Sequence, residues 1–162
     1  MKKHLFSAIL TMIGIATINA QIVKTQVGLT KYDLQTNNSI ERRVVVDQNT
    51  SELVVTYTGS MDNDPGSGGF ANRGAGYYYY SGSGTLSPQT TFPGRIEGAS
   101  GDRTGWPSPC FLSGNSEAIV SHRASTSSGV VGLSFAKRVR GTSTWNFSSA
   151  STSDLTWPRM AN

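Results

Sequence analysis

Short runs of β-branched and aromatic residues alternate with turn-forming clusters along most of the chain. The runs that predict strands lie at residues 43–47, 53–58, 77–80, 118–122 and 130–136. The clusters of Gly, Ser and Asn between them are typical of turns that join antiparallel neighbours. Because no stretch keeps a helical period over three turns, the pattern predicts an all-β fold.

The chain also repeats parts of itself at a period of about fifty residues. The matching segments are SELVVT at 51–56 with SEAIVS at 116–121, GYYY at 76–79 with GLSF at 132–135, and DRTGWP at 102–107 with DLTWP at 154–158. The separation shortens from one pair to the next, as in a repeat whose loops vary in length. A period of this size, with several short strands and a recurrent Trp, is typical of β-propeller blades.

We therefore expect β-propeller blades, which are four-stranded antiparallel sheets, about two in number and forming an incomplete ring. The predicted boundaries are a signal peptide at 1–20, a lead-in segment at 21–39, blades at 40–105 and 106–156, and the truncated start of a third blade at 157–162. Closure of a propeller takes roughly four to eight blades. Further blades are therefore expected in cis, if the chain is a fragment, or in trans from other copies.

The N-terminus has the features of a signal peptide. Lys2 and Lys3 precede an apolar run at 5–16 that is too short to span a bilayer, and a small residue, Ala20, follows. We expect cleavage after Ala20, or alternatively after Ala16, and export to the cell surface or the medium. No membrane span is expected once the leader is removed.

Composition excludes several classes of protein. The formal net charge is +4, but two of the basic residues lie in the predicted leader, so we expect no nucleic-acid partner. A single cysteine, Cys110, allows no internal disulfide, and its apolar neighbours predict that it is buried. With His122 as the one histidine after the leader, a zinc site is not expected, and we predict no cofactor. The alternating basic residues at 137–140 predict a solvated strand face.

Five motifs together carry a family resemblance: YDLQTN at 32–37, NRGAGY at 72–77, RIE at 95–97, DRTGWPS at 102–108 and WPR at 157–159. They resemble the start of large exported propeller proteins with sialidase-like (BNR-type) repeats. The resemblance implies a six- or seven-bladed ring after the signal peptide and, often, a C-terminal sorting domain for type IX secretion. The nearest match to the Asp-box turn of such repeats, at 138–145, keeps a Gly, a Thr and the Trp but lacks the Asp.

The candidate ligand-binding residues are Arg73, Arg103 and Trp106. Both arginines lie close to a Gly and an aromatic residue, which suits polar groups near a ring opening, and Trp106 could stack on a sugar. Because Trp106 recurs as Trp157, packing at a blade junction is the alternative for it.

Residue types suggest two other candidate sites. Asp62 and Asp64 are a weak calcium-loop candidate, because their spacing suits oxygen ligands but the distal Glu of such loops is missing; a plain surface loop is the alternative. His122 and Ser121 face opposite sides of a strand, so they do not form a hydrolase pair. His122 aligns with Tyr57 of the other repeat, which indicates a packing or surface position.

These observations predict a non-enzymatic binding or adhesion module for a glycan or another extracellular polymer. The first alternative is the N-terminal part of a sialidase-like glycoside hydrolase, whose acid, nucleophile and arginine clamp two blades do not supply. The second is a small oligomeric propeller lectin. The sequence predicts no catalytic residue.

Overall fold

The computed structural model describes residues 26–32, 34–35, 42–60, 62, 70–83, 87–88, 95–98, 102–124, 131–151, 158 and 160. Eight strands occur in this part of the chain: β1 Val44–Val46, β2 Leu53–Gly59, β3 Gly74–Tyr80, β4 Ser87–Pro88, β5 Arg103–Leu112, β6 Ser116–Ala124, β7 Val131–Val139 and β8 Asn146–Ser151. The described residues include no helix long and apolar enough to cross a membrane. The prediction of an all-β fold is confirmed, whereas the predicted signal peptide at 1–20 lies outside the described residues.

The strands form two antiparallel sheets, each built from consecutive strands. The first sheet has the order β1-β2-β3, with the two-residue β4 paired to β3 at its edge. The second sheet has the order β5-β6-β7-β8. Each sheet is therefore a meander, and none of the described strands crosses from one half of the chain to the other.

The two sheets pack against each other through one face of each. Alternation along β2 places Val54, Thr56 and Thr58 on the packed face, since successive side chains of a strand point to opposite sides. On this face Val45, Val54 and Tyr77 of the first sheet form one buried cluster with Ile119 and Ala136 of the second. Burial of these apolar side chains stabilises the packing of the sheets.

Strand β5 approaches the first sheet closely and contains a β-bulge. Its pairing with β6 shifts between Gly105 and Ser108, so that Trp106 and Pro107 together stand opposite one residue of β6. Thr58 Oγ1 accepts a hydrogen bond from the Trp106 backbone N–H (2.8 Å), and Thr56 Oγ1 donates one to the Pro107 carbonyl (3.0 Å). These bonds satisfy the backbone of β5 where the bulge interrupts the ladder.

Pairing also shows how the sequence repeat maps onto the fold. Segment 51–56 leads into β2 and segment 116–121 begins β6. These are the second strands of the two sheets, as the similarity of the segments predicts. Thr56 pairs with Tyr77, whereas its counterpart Ser121 pairs with Ser134. The structural counterpart of Tyr77 is therefore Ser134, and the sequence match of Tyr77 to Leu133 is wrong by one residue. A shift of one residue moves a side chain to the other face of a sheet.

The predicted solvated face at 137–140 is also wrong in part. Lys137 and Val139 are exposed, but Arg138 is buried between the sheets. Arg138 can be buried because the Glu117 carboxylate pairs with its charge and the rings of Tyr77 and Trp145 pack against its guanidinium. The prediction that Cys110 is buried is confirmed.

Candidate functional site

A buried stack of polar and aromatic side chains lies beside the bulge. The Arg73 guanidinium lies 4.4 Å from the centre of the Trp106 ring and 5.3 Å from that of Tyr32. Arg73 Nε donates to the Thr104 carbonyl (3.0 Å) and Nη1 to the Tyr32 hydroxyl (3.2 Å). The His122 ring also stacks on Trp106, with the two ring centres 5.4 Å apart. We refer to Tyr32, Arg73, Trp106 and His122 as the aromatic stack.

Local backbone geometry positions the stack. Trp106 has a φ of 50°, in the left-handed region that bulky residues rarely adopt, and the bulge holds it there. Gly105 leaves room for the arginine, because a Cβ at this position would lie 3.0 Å from Arg73 Nε. Trp106 Nε1 donates to the Leu34 carbonyl at 3.1 Å, which ties the described part of the lead-in segment to the second sheet.

Burial and charge act together on the titratable groups of the stack. Desolvation and then the nearby positive charges of Arg73 and Arg103 lower the pKa of His122 to about 4. Desolvation also lowers the pKa of Arg73. The imidazole is therefore neutral at physiological pH, which suits its stacking against an indole ring that a guanidinium already contacts.

The predicted ligand-binding residues are thus partly brought together. Arg73 and Trp106 are in contact, but they are only 6% and 5% exposed. Arg103, on the same strand as Trp106, is near enough to affect the pKa values of Arg73 and His122. Their role in binding a ligand stays a prediction, and the contacts within the structure are those of a packed junction.

The weak calcium-loop candidate falls only partly within the described residues. Asp62 accepts hydrogen bonds from the Asn72 backbone N–H (2.7 Å) and from Asn72 Nδ2 (2.9 Å). These two bonds lower the pKa of Asp62 and engage both oxygens of its carboxylate. Asp64 lies outside the described residues, and within them no group of three metal-binding side chains occurs.

A buried ion pair lies between cross-strand partners of the second sheet and contacts the first sheet through Tyr77. Arg138 Nε lies 2.5 Å from Glu117 Oε1, with both side chains 2% exposed. The Tyr77 hydroxyl donates to the same carboxylate, at 2.6 Å from Oε2. The guanidinium lies over the rings of Tyr77 (4.5 Å) and Trp145 (4.3 Å). This group is enclosed by protein, so its role is structural.

The second sheet also carries an open cleft of about 260 Å³. Its lining residues are Glu97, Asp102, Ser134, Phe147, Ser148 and Ser149. Ser134 and Ser149 are cross-strand partners on β7 and β8, and Phe147 follows on the same face of β8. That face packs on the first sheet elsewhere, but at β8 it is exposed. We refer to this site as the serine cleft.

Protein donors already engage both carboxylates of the serine cleft. Asp102 Oδ2 forms an ion pair with Arg123 Nε at 2.5 Å. Glu97 accepts from Thr104 Oγ1 (2.5 Å) and from the Ala75 backbone N–H (3.1 Å). Burial raises the pKa of Glu97, and these hydrogen bonds act in the opposite direction. These donors therefore hold the Glu97 and Asp102 side chains in fixed positions, in which their oxygens can accept further hydrogen bonds.

Sequence reasoning did not identify the serine cleft, because its two walls come from segments far apart in the chain. Glu97 and Asp102 occur in the RIE and DRTGWPS motifs, but Phe147 and Ser149 lie in a strand with no polar motif to distinguish it.

No known protein family, curated protein or solved structure matches this chain.

Proposed function

We propose that this chain is an exported, non-enzymatic binding or adhesion module of the β-propeller type, which recognises a glycan or another surface polymer. The observation that carries the proposal is the serine cleft, an open site with acceptor carboxylates, hydroxyl groups and an exposed aromatic ring. Such a set matches the hydroxyl groups and apolar faces of a sugar, because binding sites combine apolar contact with a few placed polar groups.

The arrangement of the carboxylates favours binding over hydrolysis. A glycoside hydrolase needs one carboxylic acid free to give a proton and a second carboxylate free to attack or to activate water. Glu97 and Asp102 are held by Thr104, Ala75 and Arg123. A carboxylate fixed by donors accepts hydrogen bonds from ligand hydroxyls with little reorganisation.

The propeller part of the proposal rests on the outer faces of the two sheets. Val44 and Val46 are exposed on the outer face of the first sheet, and Phe135 and Val139 on that of the second. Blades of a propeller cover such faces with neighbouring sheets. We propose that further blades, in cis or in trans, cover both faces.

A glycan array with the secreted, labelled chain tests the binding function. We expect retention on at least one class of glycan and no release of product from aryl glycosides. Absence of binding to every glycan and polymer tested would contradict the proposal, and turnover of an aryl glycoside would show that it is wrong about catalysis.

Light scattering tests the exposed outer faces separately. We expect concentration-dependent association of the chain, and a shift toward monomer in the double variant Val46→Lys, Val139→Lys, which places one charge on each outer face. A wild-type chain that stays monomeric at all concentrations would contradict the need for further blades.

A further inference from the structure

We propose that the serine cleft binds a neutral, hydroxyl-rich pyranose ring, with Phe147 as its stacking platform. This inference rests on the proposed binding function and names its site and its class of ligand. The cleft volume of about 260 Å³ lies just below the range of roughly 300–1,000 Å³ typical of ligand pockets, so it suits one sugar unit rather than a large cofactor.

The floor of the cleft has the polarity that a pyranose requires. Phe147 is 47% exposed, and its ring can pack against the C–H groups on one face of a sugar. Ser149 lies two residues further along β8, about 7 Å away for an extended strand. Ser134 is its cross-strand partner. An apolar platform is thus followed by two hydroxyl groups that can donate to or accept from sugar hydroxyls.

The residues that form the walls of the cleft favour a ligand without charge. Both charged lining residues are acids, Glu97 and Asp102, whose oxygens accept hydrogen bonds from hydroxyl groups. Arg123 neutralises Asp102 and also reaches Ser151 Oγ at 3.1 Å. Arg123 can reach across β7 to Ser151 because the β7 residue that lies between the two is Gly132, which has no side chain. An anionic sugar would find no cation among the described lining residues to receive its charge, whereas a neutral sugar needs only hydrogen-bond partners.

The ligand class therefore differs from the sialic acid that a sialidase-like site would hold. Recognition of a sialic acid carboxylate needs arginines aimed at it. Arg73 instead contacts Tyr32, Trp106 and the Thr104 carbonyl. Among the described lining residues of the cleft there is no arginine.

The test is an NMR titration of the isotope-labelled chain with methyl β-glucoside, methyl β-galactoside, N-acetylglucosamine and, as the anionic probe, sialic acid. We expect at least one neutral sugar to shift the backbone amides of Ser134, Phe147 and Ser149. Sialic acid should not shift them. Shifts confined to other regions, no shifts at all, or a preference for sialic acid would overturn the inference.

Two matched variants separate the cleft from the rest of the surface. Phe147→Ala should weaken the binding of the neutral sugar roughly tenfold, the loss expected for an aromatic platform. Phe135→Ala should leave it unchanged, since Phe135 is a similarly exposed ring on the opposite face of the same sheet. Equal affinity of wild type and Phe147→Ala would overturn the inference.

The same variants distinguish failure of this inference from failure of the proposed function. If the wild-type chain and Phe147→Ala bind the same glycans on the array, the binding function stands and the serine cleft is not its site. If the wild-type chain binds no glycan on the array and no sugar in the titration, both proposals fail.

Discussion

Replacement of His122 by Phe tests the electrostatics of the aromatic stack. The His122 ring is 9% exposed and stacks on Trp106, so a phenyl ring of similar size can keep the packing while losing the titratable nitrogens. At neutral pH, where His122 is uncharged, we expect the variant to be as stable as the wild type or slightly more stable.

The difference should appear as the pH falls. The pKa of His122 is about 4 in the folded chain and 6.5 for an unperturbed histidine, so between these values the unfolded chain binds more protons and stability decreases with falling pH. At 1.36 kcal/mol per pKa unit, the wild type should lose about 2 kcal/mol between about pH 7 and pH 5 through this group. The loss should approach about 3 kcal/mol near pH 4.

Urea unfolding of both proteins at a series of pH values measures this loss. The chain has two histidines, and His4 lies in the predicted signal peptide, so the difference in pH dependence between wild type and His122→Phe isolates His122. Carboxyl groups titrate in both proteins and cancel in the comparison. Equal loss of stability in the two proteins, or an NMR titration of His122 near pH 6.5, would refute the reasoning.

Two further predictions concern the junction of the sheets and the last strand. Glu117→Ala leaves the Arg138 guanidinium buried without its carboxylate and should cost about 3–5 kcal/mol of unfolding free energy. Tyr77→Phe removes one hydrogen bond and should cost about 1 kcal/mol; equal costs in urea unfolding would contradict the ion-pair argument. Gly132→Ala would place a Cβ 2.1 Å from the Ala150 carbonyl oxygen and should cost about 1–3 kcal/mol. An unchanged melting temperature for that variant would contradict the close approach of β7 and β8.

The fold class could be predicted because local pattern determines it. Runs of β-branched and aromatic residues mark the strands, and turn residues separate them, so the all-β fold and five strand positions follow from sequence. Strand β5 could not be predicted in this way, because Pro107 and Pro109 argue against a strand. Pro107 lies in the bulge, where Thr56 donates to its carbonyl, and β5 is an edge strand, where a proline is tolerated. Both are tertiary features.

The site was harder to predict than the fold, because its residues meet only through tertiary packing. The chemistry of Arg73 and Trp106 predicts a ligand-binding role for both, and the structure brings them together, but as a buried stack. The first sheet packs mainly on β5, and Phe147 and Ser149 on β8 are open to solvent. That property belongs to the pairing of two sheets and leaves no trace in the local sequence.

The buried stack and the serine cleft are nevertheless connected through one segment. Thr104 accepts a hydrogen bond from Arg73 at its carbonyl and donates one to Glu97 from its hydroxyl. Arg95 donates from one nitrogen to the carbonyls of both Arg73 and Asp102, each at 3.0 Å. The DRTGWP motif therefore holds Glu97 through Thr104 and supplies Asp102 itself, while its Arg73-contacting Trp106 lies in the buried stack.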